Sequence, residues 1–168
     1  MANQHEQFMR IAIEEAMKAM DAGEQPFAAV IVRNGEVLGR GHNMQNSTFD
    51  ATAHGETFVI RNTTVTHKLQ KLTGCTLYST CEPCAMCAGA TINSGISTLV
   101  LGARLARMKD FSGETFSPGE YKGGVFNFND YTVEGLVKMM GANLEVVTGV
   151  LEGECENIYR NSRVKLTL

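Results

Sequence analysis

The chain has 168 residues, of which 43% are hydrophobic and 20% charged, so it can build the core of one ordinary domain and is not typical of a disordered chain. It has no run of about 18 apolar residues and no basic-then-apolar leader, so we expect a cytoplasmic protein without a membrane span or secretory signal. Five cysteines in such a chain favour metal binding or free thiols over disulfides, and a formal net charge of −3 argues against a large nucleic-acid interface.

Hydrophobic periodicity predicts helices and strands that alternate along one domain, residues 1–168, without repeats or a linker. The predicted helices cover residues 4–22, 53–66, 83–94, 133–140 and 150–161. The predicted strands cover residues 27–32, 37–43, 75–80, 96–101 and 143–148. Residues 102–131, which are rich in glycine and aromatic side chains, predict only a long loop.

Local signals support several of these boundaries. Asn3 and Glu6 have the spacing of a capping box at the start of the first helix. Asn34-Gly35 is typical of a tight turn, which makes the first two strands an antiparallel hairpin. Pro83 suits the first position of a helix. A hairpin followed by alternating strands and helices predicts an α/β fold, in which a mixed sheet carries helices on both faces.

Two short motifs carry the chemistry, His54-Gly55-Glu56 and Pro83-Cys84-Ala85-Met86-Cys87. Histidine nitrogen and cysteine thiolate are ligands that zinc prefers, and a catalytic zinc site leaves its fourth position open for water. Cys84 and Cys87 are three residues apart, so on a helix they share one face, and the start of that helix favours the thiolate form. The motifs therefore predict a zinc site formed by His54, Cys84 and Cys87.

Glu56 is two residues from His54, so the two side chains cannot lie on the same helix face, but the carboxylate can reach a water on the metal. Because zinc lowers the pKa of its water, a carboxylate beside it can take a proton and deliver it to a ring nitrogen and a leaving amine. Glu56 is therefore the predicted catalytic proton shuttle. The alternative is a structural zinc site with Cys81 as the fourth ligand. Cys75 and Cys155 are expected to be ordinary buried residues.

His-x-Glu followed by Pro-Cys-x-x-Cys is the pattern of the zinc-dependent nucleobase deaminases. The sequence resembles the cytidine deaminase superfamily, in its branch of free-base and tRNA deaminases. The other segments that carry the resemblance are Pro26-Phe27, Gly41-His42-Asn43, Cys81-Glu82-Pro83 and Leu101-Gly102-Ala103-Arg104. The resemblance implies a three-layer α/β/α sandwich on a five-stranded mixed sheet, a homodimer, and hydrolytic deamination with release of ammonia.

The resemblance also implies which side chains contact the substrate. By position, Asn43 would bind the base edge, where an amide offers a donor and an acceptor together. Phe27 would pack on the face of the base. One carboxylate would hold the departing amino group, and the candidates are Asp110, Glu154 and Glu156. Each also has an ordinary interpretation, as a turn residue, a core aromatic or a solvated charge.

The predicted substrate is a free nucleobase or a related small heterocycle, with guanine or cytosine favoured. The acidic net charge gives no track for phosphates, and the aromatic-rich segment at residues 105–131 lies where relatives close the pocket. One alternative is deamination of adenosine to inosine in tRNA, which would need a basic face. The other is a non-catalytic zinc-binding relative, against which the intact Glu56 argues. A nucleic-acid partner is not expected but stays open.

Overall fold

The structure is a computed structural model that describes residues 2–107 and 131–162. Strands within these ranges form one five-stranded sheet: β1 Ala28–Arg33, β2 Glu36–His42, β3 Thr76–Cys81, β4 Thr98–Ala103 and β5 Glu145–Val147. Their order across the sheet is β2-β1-β3-β4-β5. β1 is antiparallel to β2 and β3, whereas β3, β4 and β5 run parallel to one another. The sheet is therefore mixed, as the initial hairpin predicts.

The helices within the described residues are α1 Ala2–Asp21, α2 Gln45–Thr48, α3 Gly55–His67, α4 Ala85–Asn93, α5 Val133–Met140 and α6 Glu152–Asn161. A 3-10 turn covers Leu105–Arg107. α1 and α6 pack on one face of the sheet, and α3, α4 and α5 pack on the other. This arrangement confirms the predicted three-layer α/β/α sandwich. Among the described residues, no helix is long and apolar enough to cross a membrane.

Alternating side chains of the strands divide between two cores. Val30, Tyr78 and Val100 pack toward α1 and α6, whereas Leu77 and Leu99 pack toward α3, α4 and α5. Strands buried on both faces often consist of nearly continuous apolar residues, which is the pattern of β1 and β4, whereas the equally buried β3 includes the polar residues Ser79 and Thr80. The central strands therefore form a rigid platform from whose ends the functional loops leave.

The predicted helices and strands are all present, with boundaries within two residues of the observed ones. α1 begins at Ala2, so Asn3 lies inside the helix and the predicted capping box is wrong. α4 begins at Ala85, so Pro83 precedes the helix instead of starting it. The four-residue α2 was not predicted. Within the predicted loop at 102–131, β4 extends to Ala103 and a 3-10 turn follows, while residues 108–130 lie outside the described residues.

Two glycines show why the chain folds this way. Asn34 and Gly35 have φ angles of 52° and 81°, the left-handed pair that a two-residue hairpin turn requires, which confirms the predicted turn. A Cβ atom on Gly102 would lie 2.3 Å from the Sγ atom of Cys155. The missing side chain thus lets α6 pack directly on β4.

Candidate metal centre and active site

The two chemical motifs lie at the starts of two neighbouring helices. His54 is the N-cap of α3 and Cys84 is the N-cap of α4, both with extended backbone and neither with a side-chain capping hydrogen bond. β3 and β4 are parallel and pair Cys81 with Ala103, so the loop into α4 leaves the sheet at its carboxyl edge, where ligands bind in α/β folds. The positive ends of both helices therefore face the same site.

The three predicted metal ligands come together. Their ligand atoms lie within 4.8 Å of one another, and Nδ1 of His54 is 3.6 Å from Sγ of Cys84 and 3.5 Å from Sγ of Cys87. In a tetrahedral zinc site, bonds of about 2.05 Å to nitrogen and about 2.3 Å to sulfur separate these two atoms by about 3.6 Å. The residues therefore fit zinc. Cys81 is not in this group, so its sulfur gives no support to a closed structural site.

The electrostatics of the thiols also call for a cation. The hydrogen bond from Cys87, and the neighbouring His54, lower the pKa of the Cys84 thiol to about 4. The same hydrogen bond, together with burial and the nearby carboxylate of Glu56, raises the pKa of Cys87 far above its ordinary value. Ionisation of Cys84 is thus favoured, and ionisation of Cys87 beside it is disfavoured. A divalent cation between them would stabilise both thiolates, as metal coordination does.

Glu56 lies in the second position of α3 and is buried. Its Oε1 accepts a hydrogen bond of 3.0 Å from the hydroxyl of Ser79, whose Oγ also lies 2.7 Å from the carbonyl oxygen of Cys81. Burial, followed by the negative charge of Cys84, raises the pKa of Glu56. A raised pKa makes the carboxylate a better proton acceptor, which suits a group that takes a proton and later delivers it.

Gly55 brings the start of α3 against the first residues of β1. A Cβ atom at this position would lie 2.9 Å from the carbonyl oxygen of Phe27 and 3.0 Å from the Cα atom of Ala28. The backbone N–H of Asn43 donates to that same Phe27 carbonyl at 2.8 Å. The backbones of the two predicted substrate contacts, Phe27 and Asn43, are therefore adjacent to each other and to the His-Gly-Glu motif.

The side chain of Asn43 is buried and already engaged within its own loop. Its Oδ1 accepts from the backbone N–H of Gln45 at 3.0 Å, and its Nδ2 donates to Oε1 of Gln45 at 2.8 Å. An amide can make four hydrogen bonds, so one donor and one acceptor position remain for a base edge. Met44 N–H donates to the carbonyl of Ala53, which closes the loop between Asn43 and His54.

The side chain of Phe27 is half-buried and packs on Tyr159 of α6, with ring centroids 5.1 Å apart. The ring therefore has a core partner on one side, and contact with a base stays a prediction.

The predicted carboxylates are not gathered at the metal centre by any contact that the described residues show. Glu154 is 48% exposed and pairs with Arg10 of α1 at 2.7 Å. Glu156 accepts from Arg107 at 3.0 Å. Asp110 lies outside the described residues. Which of the three holds an amino group therefore stays a prediction.

The sequence analysis assigned no role to three residues beside the site: Ser79, which donates to Glu56, and Glu82 and Tyr131, which bind the segments around the cysteine motif. A signal for Ser79 is its place as a polar residue in a predicted strand that ends just before the cysteine motif. Glu82 had a weaker one, as a charged residue between a buried strand and Pro83. No sequence signal indicates Tyr131, because its contact is with a residue far away in sequence. Its hydroxyl donates to the carbonyl of Pro83, 48 residues away, at 2.8 Å.

The class of protein that this fold and this site define is a zinc-dependent hydrolytic deaminase. Residues 2–103 match the family described as the cytidine and deoxycytidylate deaminase zinc-binding region. The chain therefore belongs to the cytidine and deoxycytidylate deaminase family, which confirms both the resemblance and zinc as the cofactor.

Individual relatives act on more than one substrate class. The chain is 40% identical over 154 residues to a tRNA-specific adenosine deaminase of Bacillus subtilis (strain 168), an alignment that covers 90% of this chain and 84% of the relative. It superposes with a TM-score of 0.67 and 29% identity on a structure from studies of A-to-I editing by tRNA:A34 deaminases at the wobble position, with 90% of this chain and 98% of that chain covered. It superposes with a TM-score of 0.62 and 29% identity on guanine deaminase from Bacillus subtilis, with 82% and 92% covered.

Proposed function

We propose that the chain deaminates adenosine to inosine in tRNA. The observation that carries the proposal is the 40% identity to a tRNA-specific adenosine deaminase over 84% of that relative's length. The superpositions do not separate the substrate classes, because the tRNA deaminase and the guanine deaminase are both 29% identical to this chain. The sequence comparison thus favours the alternative of the sequence analysis over its main prediction, a free guanine or cytosine.

The proposed chemistry follows from the positions of the side chains. Water adds to the ring carbon that bears the amino group, the carbon–nitrogen bond breaks, and ammonia leaves, so that adenosine and water give inosine and ammonia. When bound by His54, Cys84 and Cys87, zinc supplies a water with a lowered pKa. Glu56 takes a proton from the attacking water and delivers it to the ring nitrogen, then takes the remaining proton of the added hydroxyl group and delivers it to the leaving amine as the carbonyl forms. Asn43 binds the edge of the base and Phe27 packs on its face.

The small negative net charge of the protein indicates how its affinity for RNA would depend on salt. With 15 Lys and Arg residues against 18 Asp and Glu, the chain has no overall excess of positive charge, so we expect few phosphate contacts. Because each phosphate contact releases counterions, we expect a shallow decrease of affinity with salt and recognition that depends on the flipped base and its neighbours. Since its substrate would be tRNA, we also propose a cytoplasmic location.

We further propose that the protein is a homodimer. Large apolar side chains are exposed on the helices of the α3–α4–α5 layer: Val65, Met86, Met139 and Met140. Phe49, after α2, and Met17, on α1, are also exposed, but four of the six exposed large apolar side chains among the described residues lie on this layer. Exposed apolar patches mark interaction faces. Light scattering after size exclusion should give twice the chain mass. Val65→Glu should reduce that mass, whereas Met17→Glu, on the opposite layer, should not.

The decisive experiment compares substrates with the zinc-loaded protein. An anticodon stem-loop with adenosine at its wobble position should yield inosine, detected by mass spectrometry of the digested RNA. Free guanine, cytosine, adenine and adenosine should release little ammonia under the same conditions. A Glu56→Gln protein is the control for a contaminating deaminase. Turnover of a free base without any inosine in the stem-loop would overturn the proposal while leaving the zinc chemistry intact.

A further inference from the structure

Glu82 is a buried carboxylate outside the predicted machinery, between the end of β3 and Pro83. Its side chain is 1% exposed. Oε1 accepts from the backbone N–H of Val133 at 2.8 Å and from Nη1 of Arg104 at 3.2 Å, and Oε2 accepts from the backbone N–H of Leu105 at 3.1 Å. One carboxylate thus joins the segment before the cysteine motif to the end of β4 and to the start of α5.

Arg104 extends the same network. Its Nη1 and Nη2 donate to the two carboxylate oxygens of Glu134 at 2.9 and 2.7 Å, a bidentate pair on the first turn of α5. The backbone N–H of Glu82 donates to the carbonyl of Ala103 at 2.8 Å. Main chain and side chain of Glu82 therefore both bind the segment at the end of β4, and α5 is bound through Val133 and Glu134. Charge-assisted bonds of this kind are stronger than neutral ones.

Tyr131 completes the network from the other side. Pro83 has no N–H, so its carbonyl is the only backbone group with which it can form a hydrogen bond. That carbonyl accepts from the hydroxyl of Tyr131 at 2.8 Å. Burial and the neighbouring negative groups raise the pKa of Tyr131, so the phenol stays a donor. Tyr131 therefore fixes the peptide between Pro83 and Cys84. The preceding residue, Glu82, is held by Val133, Leu105 and Arg104.

Cys84 needs this support because it is the N-cap of α4. Its backbone is extended, and its own carbonyl accepts the first helical hydrogen bond, from Ala88 at 2.8 Å. The helix therefore orients the residues after Cys84, while the segment before it depends on Glu82 and on the Pro83 carbonyl. A shift of this segment would move Sγ of Cys84 away from the 3.6 Å spacing to His54 that suits zinc.

We propose that Glu82 and Tyr131 are positioning residues that hold the zinc ligand Cys84 in place, by tying the Pro83–Cys84 peptide to the end of β4 and the start of α5. The proposal concerns the metal site and is independent of which substrate is deaminated. Residues that orient metal ligands typically contribute about 10- to 100-fold to metal affinity.

Tyr131→Phe is the gentler test, because it removes one hydroxyl and keeps the ring. We expect zinc transfer to a chromophoric chelator to be about 10-fold faster than in the wild type. Tyr159→Phe is the matched control, since it also removes the hydroxyl of a buried tyrosine, one that donates to Thr80 at 2.9 Å. The control should transfer zinc at the wild-type rate. Equal rates in the two variants would overturn the role of Tyr131.

Glu82→Gln is the stronger test, because an amide NH₂ cannot accept from the backbone N–H groups that the carboxylate now serves. We expect zinc transfer to accelerate about 10- to 100-fold, and the cobalt-substituted protein to show an altered thiolate absorption. Glu24→Gln is the control: Glu24 is a buried carboxylate that accepts from the backbone N–H groups of Asn46 and Ser47. It should lose stability but keep the wild-type cobalt spectrum.

Two results would contradict the proposal. If Glu82→Gln lowers the melting temperature as Glu24→Gln does, while zinc transfer and the cobalt spectrum stay unchanged, Glu82 only stabilises the fold. If Glu24→Gln loosens zinc as much as Glu82→Gln, the effect is not specific to the cysteine motif. Should Glu82→Gln fail to fold, the Tyr131→Phe measurement decides alone. None of these readouts depends on a substrate, so they are separate from the test of tRNA deamination.

Discussion

On the metal side of the site, which is His54, Cys84, Cys87 and Glu56, three ligand atoms lie within 4.8 Å of one another. On the substrate side, the described side chains, which are Phe27, Asn43, Glu154 and Glu156, already have other partners. Asn43 is bonded to Gln45, Phe27 packs on Tyr159, and Glu154 pairs with Arg10.

The two sides differ because they meet different requirements. A zinc ion imposes ligand types, distances and angles, so the metal side has the same geometry whatever the substrate. A base is recognised by a few hydrogen bonds and a stacking contact, which different loops can supply. Accordingly, a structure from studies of tRNA:A34 deaminases and a guanine deaminase both superpose on this chain, with TM-scores of 0.67 and 0.62. Family membership thus predicts the zinc chemistry, whereas we expect the loops around the site to select the substrate.

The largest effect is expected from Glu56→Gln. The amide keeps the size of the side chain and can still accept from Ser79, so zinc content and melting temperature should stay close to the wild type. It cannot take up a proton, and loss of a general acid–base group lowers turnover about 10²- to 10⁴-fold. The measurement is inosine formation at saturating substrate, with zinc determined by elemental analysis. Near-normal turnover would remove Glu56 from its assigned role and place the metal side among structural sites.

Much of the metal side could be predicted because its information is local. His54 and Glu56 are two residues apart, and Cys84 and Cys87 are three apart, so residue types and spacing sufficed. The start of α4 was placed two residues early because Pro83 suits a first helical position, whereas Cys84 in fact caps the helix. Cys84 is therefore at the N-cap and Cys87 at the third helical position. The two thiols still lie together at the metal site, as predicted.

The supporting contacts of the site and the partners of the substrate-side residues could not be predicted, because they depend on residues distant in sequence. Glu82 receives hydrogen bonds from Leu105 and Val133, 23 and 51 residues further on, and no pattern around Glu82 indicates them. Glu154 could not be recognised as an ion-pair partner of Arg10, 144 residues away. The free-base prediction relied on net charge and on a long segment, neither of which reports on individual contacts to a substrate.

A second, smaller effect is expected on the substrate side from Asn43→Ala. Loss of hydrogen bonds to a base edge in a buried site costs about 1–3 kcal/mol, which is about 5- to 150-fold in kcat/KM. Zinc content should not change. The control is Gln45→Ala, which removes the partner of the Asn43 side chain but leaves the amide itself. If the two variants lose activity equally, Asn43 acts by holding its loop, and the predicted contact with the base is wrong.

A still smaller effect is expected from Ser79→Ala, which removes the hydroxyl that donates to Glu56 at 3.0 Å. One hydrogen bond contributes about 0.5–1.5 kcal/mol, so kcat should fall about 2- to 12-fold. KM should stay constant because Ser79 is buried beneath Glu56. Ser97→Ala is the control, since it removes a hydroxyl that accepts from Gly74 at the other end of the sheet. A change in KM without a change in kcat would assign Ser79 to the substrate side.

The smallest effect is expected from Glu154→Gln. The carboxylate is 48% exposed and its partner Arg10 is 53% exposed, and such surface pairs contribute about 0–1 kcal/mol to stability. If Glu154 only pairs with Arg10, then Glu154→Gln and Arg10→Gln should have equal melting temperatures and the same inosine formation, within about 2-fold. If Glu154 instead holds the departing amino group, Glu154→Gln alone should lower kcat. A lower kcat in Glu154→Gln but not in Arg10→Gln would contradict the surface-pair interpretation. It would also place α6 on the substrate side, together with Phe27, whose ring already packs on Tyr159 of the same helix.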